Sequence, residues 1–92
     1  SEAPLAKRWL EISREALRVA REASRRVRLE IRTAYTAEDK TAVLRIGKAA
    51  GEALLHDPDS AVLVARALES SGRSAEAIEL LKQARRVDPQ HF

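Results

Sequence analysis

The feature that most constrains the fold is an apolar repeat that runs unbroken through the first part of the chain. Six apolar residues follow one another at spacings of 4-3-4-3-4, namely Leu5, Trp9, Ile12, Ala16, Val19 and Ala23. This spacing places the six side chains on one face of an α-helix. Pro4 is compatible with that helix because proline is tolerated in a first turn. The repeat therefore predicts one long helix over about residues 3–34.

A second apolar ridge lies beside the first on the same helix. It consists of Ala6, Leu10, Leu17, Ala20, Val27 and Ile31. At about 100° per residue the two ridges fill roughly half of the helix circumference, which is wider than the seam of a coiled coil. The long helix is therefore predicted to contact two other helices.

Turn signals divide the rest of the chain. Tyr35-Thr36, Asp57-Pro58 and Ser71-Gly72 separate apolar segments of helical period, and no segment alternates as a strand would. Thr36 and Asp39 fit the ends of a capping box at the start of the second helix. Helices are predicted at about 37–56, 58–70 and 75–87. The predicted fold is all-α, one domain over 1–92, with the long helix packed on three shorter helices in a compact up-down arrangement.

Two glycines lie four residues apart on the second predicted helix. Gly47 and Gly51 would share one face, and the polar residues of this helix form only a narrow strip. Because glycine has no side chain, another backbone can approach closely at such positions. We expect close helix packing at both glycines.

Composition removes several kinds of chemistry. The chain has no cysteine, so disulfides, thiolate zinc sites and cysteine nucleophiles are excluded. His56 and His91 share no helical spacing, whereas a metal site needs three or four converging ligands. No long uncharged run suggests a signal peptide or a membrane span. The sequence therefore predicts no enzyme, no cofactor, no metal and no membrane association.

The surplus of positive charge lies on the first helix. The whole chain carries a net charge of +3, while residues 1–35 hold nine basic and five acidic residues. Arginines line one face at spacings of 4-3-4-3-4, namely Arg14, Arg18, Arg21, Arg25, Arg28 and Arg32. They form a candidate phosphate ridge for weak nucleic-acid binding. The favoured interpretation is a solvated face, because acidic residues lie three or four positions from several of these arginines.

Helix lengths raise a question about the N-terminal end of the first helix. The second predicted helix is shorter and reaches back only to about residue 16. Leu5, Trp9 and Ile12 must then be covered by the last two helices, or they form an exposed interface. We expect a monomer in the first case and a homodimer in the second, and the monomer is the favoured prediction.

Residues 58–89 resemble one tetratricopeptide repeat. Asp57-Pro58 recurs as Asp88-Pro89, with a helical hairpin between the two pairs. The resemblance is carried by Ala65, Gly72, Ala77-Ile78-Glu79, Leu81, Ala84 and the closing Asp88-Pro89. It implies a helical hairpin of the kind used in protein–protein interaction modules that bind a peptide or a partner helix. The long first helix departs from this family.

Three features favour a designed or fragment-assembled origin. A single repeat-like hairpin follows a helix foreign to its family, caps and turns agree with one another, and cysteine and methionine are absent. The function predicted first is therefore a structural scaffold with no evolved activity. The alternative is the tetratricopeptide-like interaction module, and the third is nucleic-acid binding along the arginine line.

Overall fold

A computed structural model describes the backbone of residues 3–91 and the side chains of residues 6–91. The helices are α1 (Ala3–Thr36), α2 (Lys40–Ala50), α3 (Glu52–Leu55), α4 (Pro58–Ser70) and α5 (Ser74–Val87). No strand occurs within the described range. The predicted all-α class is confirmed, with a long N-terminal helix packed on shorter ones.

The first turn lies later in the chain than the sequence predicts. α1 continues to Thr36, so this residue does not cap the second helix. Asp39 is the N-cap instead, and its carboxylate accepts a hydrogen bond from the backbone N–H of Ala42 at 3.0 Å. The predicted capping box is therefore wrong in register. A single carboxylate at Asp39 supplies the acceptor that a free helix start needs.

The second predicted helix is broken at Gly51, which was expected to lie within it. Gly51 has φ of 57° and ψ of −125°, a conformation that side-chain-bearing residues rarely adopt. The break separates α2 from the single turn of α3 and buries Leu54. The predicted continuous helix over 37–56 is thus two helices, and Gly51 serves as their hinge rather than as a packing site.

Gly47 behaves as the sequence predicts. A Cβ added to this buried glycine would lie 2.9 Å from Cγ2 of Val64 on α4. Real Cβ atoms essentially never approach other atoms so closely, so a side chain at this position would force Val64 or the helix crossing to shift. The expected close packing is confirmed at Gly47 and is wrong at Gly51, where an added Cβ meets nothing.

The α4–α5 hairpin closes on Gly72. This residue has φ of 77°, and the backbone N–H of Arg73 donates to the Leu68 carbonyl at 2.8 Å. Such a left-handed residue is the common way to end a helix. α5 then starts at Ser74 with Arg73 in the N-cap position, one residue before the start that the sequence predicts.

The core lies between the C-terminal half of α1 and the shorter helices. Its buried apolar residues are small or medium in size: Ile31, Ala34, Val43, Leu54, Ala61, Val64, Ala65, Ala67, Leu68, Ala77 and Ala84. Small side chains let helices approach closely and interdigitate. We call this part, α2 to α5 with residues 24–36 of α1, the body.

Candidate functional site

The N-terminal half of α1 extends beyond the body. Every described side chain from Ala6 to Ala23 is exposed, and the first fully buried residue of α1 is Ile31. We call residues 6–23 the arm. The structure measures 59 × 25 × 18 Å along its principal axes, and the long dimension follows α1. An 18-residue arm is about 27 Å long at 1.5 Å per residue.

The arm carries large apolar side chains that nothing in the structure covers. Their exposed fractions are 70% for Trp9, 59% for Leu10, 56% for Ile12, 52% for Leu17 and 52% for Val19. Small residues lie between them, namely Ala6, Ser13, Ala16, Ala20 and Ala23. We call these ten residues the apolar stripe. Continuous apolar surface of this kind marks interaction sites in proteins that otherwise bury such groups.

The apolar stripe continues the face that the body covers. Trp9 lies 18 residues before Val27, which is about five complete helical turns. Ser13 stands in the same relation to buried Ile31, and Ala16 to buried Ala34. The same side of α1 is therefore packed against helices at its C-terminal end and uncovered at its N-terminal end.

The interface residues predicted from sequence fall in this region. Trp9 and Ile12 are exposed members of the apolar stripe. Leu5 lies outside the residues whose side chains the structure describes. Of the two arrangements that the sequence left open, the structure has the one in which α4 and α5 do not cover the arm.

The predicted arginine line is divided by ion pairs. Arg18 donates to Glu15 at 3.2 Å and to Glu22 at 2.8 Å, all on the exposed surface of α1. The hydrogen bond to Glu15 is the largest cause of a raised pKa at Arg18. These contacts match the solvated face expected from the spacing of the acidic residues, and they reduce the charge available to a phosphate backbone.

Arg28, a member of the arginine line, binds Asp57 of the body. Its Nε lies 3.1 Å from Oδ2 of Asp57, and its Nη2 lies 2.9 Å from Oδ1. Asp57 is only 1% exposed and also accepts a hydrogen bond from the hydroxyl of buried Ser60. The pKa of Arg28 is raised, chiefly by the hydrogen bond to Asp57 and then by its charge. This two-pronged contact ties α1 to the start of α4.

Sequence reasoning missed the role of Asp57. Asp57 lies at the N-cap position of α4, but its carboxylate makes no capping bond to the backbone. Arg28 and Asp57 are 29 residues apart. No local pattern connects residues so distant in sequence. An acidic residue beside Pro58 has an adequate local explanation, so nothing indicated a partner on another helix.

Arg14, Arg21, Arg25 and Arg32 complete the arginine line. Arg21 and Arg25 border an open groove between α1 and α3, together with Leu17, Ala20 and His56. Glu52 lies in the same groove, so the groove carries charges of both signs. Arg28 also lines this groove, so the structure brings three of the six predicted phosphate-ridge residues together beside the apolar stripe.

A second apolar groove runs along the outer side of the α4–α5 hairpin. It is lined by Val62, Ala77, Ile78 and Leu81, with Arg66 and Glu69 at its edge. Ile78 is 55% exposed. This groove is shorter than the arm and contains fewer large exposed side chains.

Neither a metal site nor a membrane-spanning helix is found among the described residues. Among the described residues, no three histidine or acidic side chains converge as a metal site would require. None of the described helices is long and apolar enough to cross a membrane. His91 approaches Asp59, with 3.9 Å between Nε2 and Oδ1.

Comparisons of the chain with protein-family models, with curated proteins and with solved structures find no match. The geometry of the described residues is therefore the basis of the proposed function.

Proposed function

We propose that the protein is a helical protein–protein interaction module that binds a partner helix through the apolar stripe of the arm. The observation that carries this proposal is the continuity of one apolar face along α1. The body covers that face from residue 24 onward, and nothing covers it from Ala6 to Ala23. Binding a partner helix would remove five large, half-exposed apolar side chains from water.

The α4–α5 hairpin supports an interaction module of tetratricopeptide-like character. Among the residues that carry the resemblance, Ala65, Ala77 and Ala84 are buried, and Gly72 has positive φ in the turn. In this proposal α2, α3 and α4 hold the C-terminal half of α1. The arm is then presented as a rigid extension of a folded body.

A structural scaffold without evolved activity stays a prediction. The uncovered stripe weighs against it, because idealised designs avoid exposed apolar patches of this extent. The described helix starts also fall short of idealised capping, since α4 and α5 have no side-chain capping bond. A guanidinium melt distinguishes the two proposals, because hyperstable designs unfold only above about 5 M denaturant. A midpoint well below that value supports the interaction module.

Site-specific photo-crosslinking tests the proposed function. The photoreactive residue p-benzoylphenylalanine replaces Trp9 in the full chain, which is expressed in cells and irradiated. We expect a covalent protein adduct from this position. The matched control places the same residue at Arg18, which lies nine residues from Trp9, about two and a half turns, and so on the opposite side of α1.

Adduct formation from position 9 and not from position 18 supports binding through the apolar stripe. No adduct at position 9, or equal adducts at both positions, would refute the proposal. The mass of the adduct also separates partners: twice the mass of the chain indicates a second copy, and any other mass indicates a different protein.

A further inference from the structure

We propose that the occupant of the apolar stripe is the arm of a second copy of this chain, lying antiparallel to the first. The protein would then be a symmetric dimer in which each arm packs on the other. This inference rests on the proposed function and deepens it by naming the partner. It follows from the shape of the stripe, from the position of the body and from the area available.

The apolar stripe is complementary to itself in one antiparallel register. When Ala6 of one copy lies opposite Ala23 of the second copy, the two arms overlap along their whole length. Trp9 then lies over Ala20 of the second copy, and Ser13 lies over Ala16 of the second copy. Trp9, the one large side chain along the midline, meets a small one, and the other midline pairs are small on both sides, which allows the two helices to approach closely.

The flanking apolar residues also find partners in this register. Leu10 lies beside Leu17 of the second copy along one side of the midline. Ile12 lies beside Val19 of the second copy along the other side. Two-fold symmetry repeats each contact, because an isologous interface uses the same patch twice. All five large exposed residues of the arm are thereby covered.

The position of the body selects the antiparallel orientation. A partner helix lying parallel on the apolar stripe would continue along the same face of α1. From residue 24 onward that face is occupied by the body, so the two would collide. In the antiparallel orientation, the helix of the second copy continues past the N-terminal end of the first arm. Each arm then ends where the other body begins.

Charged residues contribute little to this pairing. Arg8 approaches Glu22 of the second copy on one edge, which is favourable, whereas Lys7 approaches Arg21 of the second copy on the other edge, which is not. These residues are exposed at the rim, and salt screens charges in such positions. Affinity must therefore come from apolar contact, and we expect it to change little with ionic strength.

The area agrees with a weak but specific dimer. Half the surface of a helix about 27 Å long contributes on the order of 500 Å² from each copy. The total of about 1,000 Å² lies at the lower end of specific protein interfaces. We expect a dissociation constant on the order of 10 μM.

Sedimentation equilibrium on the full chain tests the dimer. Between about 1 and 300 μM, a range chosen to bracket the expected dissociation constant, the average mass should rise from the 10.2 kDa of one chain toward twice that value. Leu17→Lys should weaken association at least about 30-fold, because it places a charge in the apolar contact. Leu29→Lys is the matched control, since Leu29 is 66% exposed on the same helix but lies off the stripe. Circular dichroism confirms that both variants keep their helix content.

Disulfide trapping tests the orientation, which is practical because the chain has no cysteine of its own. Leu10→Cys and Leu17→Cys are prepared separately and then mixed under mild oxidation. The antiparallel register predicts a disulfide between the two different variants, with little crosslinking of either variant alone. In a parallel pair, positions 10 and 17 of the two copies would lie on opposite sides of the midline, so the absence of a disulfide in the mixture would overturn the proposed orientation.

Two further results would overturn the inference. If the chain sediments as a monomer throughout the concentration range, the second copy is not the partner, while an adduct of another mass from position 9 would still support the proposed function. If a dimer forms that resists Leu17→Lys but is lost in Ile78→Lys, the interface is the α4–α5 groove instead of the arm.

Discussion

At the scale of single residues, the contact between Arg28 and Asp57 has the clearest structural role. Asp57 is buried, while the side chain of Arg28 remains 55% exposed. Arg28 therefore keeps part of its hydration. It brings a positive charge to the carboxylate of Asp57, which has lost its hydration on burial. Ser60 satisfies a further lone pair of Asp57. This arrangement lets a buried charge stabilise the junction between α1 and α4.

We predict that Asp57→Ala lowers the free energy of unfolding by about 2 kcal/mol, because it removes charge-assisted hydrogen bonds and leaves Ser60 without its acceptor. Asp59→Ala is the control, since that carboxylate is 64% exposed and should change stability by less than about 1 kcal/mol. Chemical denaturation of both variants measures the difference. Equal effects of the two substitutions would show that Asp57 acts only through the charge of the first turn of α4.

At the scale of helices, the sequence predicts close packing at both Gly47 and Gly51, but the two glycines have different roles in the structure. Gly47 allows α2 to contact Val64, and Gly51 allows the chain to leave α2 and enter α3. Their spacing of four residues predicts a shared packing face only if the helix continues through both. Whether it continues depends on where Leu54 must lie to reach the core. That is a tertiary requirement, and the local sequence does not contain it.

We predict that the sign of Gly47→Ala depends on Val64. In the otherwise unchanged chain the new methyl group would collide with a β-branched side chain that cannot rotate away easily, so we expect a loss of about 1–2 kcal/mol of stability. In the background of Val64→Ala, the same substitution should stabilise by up to about 1 kcal/mol, because alanine favours the helix over glycine. A double-mutant cycle of unfolding free energies measures this coupling. Additive effects would contradict the close crossing of α2 and α4.

At the scale of the whole molecule, the arm and the body differ in what holds them. The body is stabilised by apolar burial among helices, with Ile31 and Val43 fully enclosed. Every described side chain of the arm is exposed, and an isolated helix of its length is only marginally stable in water. Its ion pairs from Arg18 to Glu15 and Glu22 contribute only modestly. The arm should therefore open locally more easily than the body unless a partner covers it.

We predict that equivalent truncations in the two parts have unequal costs. At about 1 μM, below the dissociation constant expected for a dimer, Leu54→Ala should cost about 3 kcal/mol, since Leu54 is 4% exposed. Leu17→Ala should cost less than about 0.5 kcal/mol, since that side chain is already half in water. Urea denaturation at this concentration gives both values. A large cost for Leu17→Ala under these conditions would mean that the body covers the arm in the monomer.

The amino-acid sequence by itself determined the all-α class and, to within two residues, the bounds of α1, α4 and α5. The period of apolar residues sets which side of α1 must leave water, and Pro58 and Gly72 set where two of the turns occur, because these properties depend on neighbours within a few residues. Only the tertiary structure decided that Arg28 binds Asp57, that Gly51 breaks a helix, and that the body covers α1 no further than residue 24. Those outcomes depend on how much of the apolar surface of one long helix the four short helices can bury. The part of the apolar face left over, from Ala6 to Ala23, is the surface on which the proposed function rests.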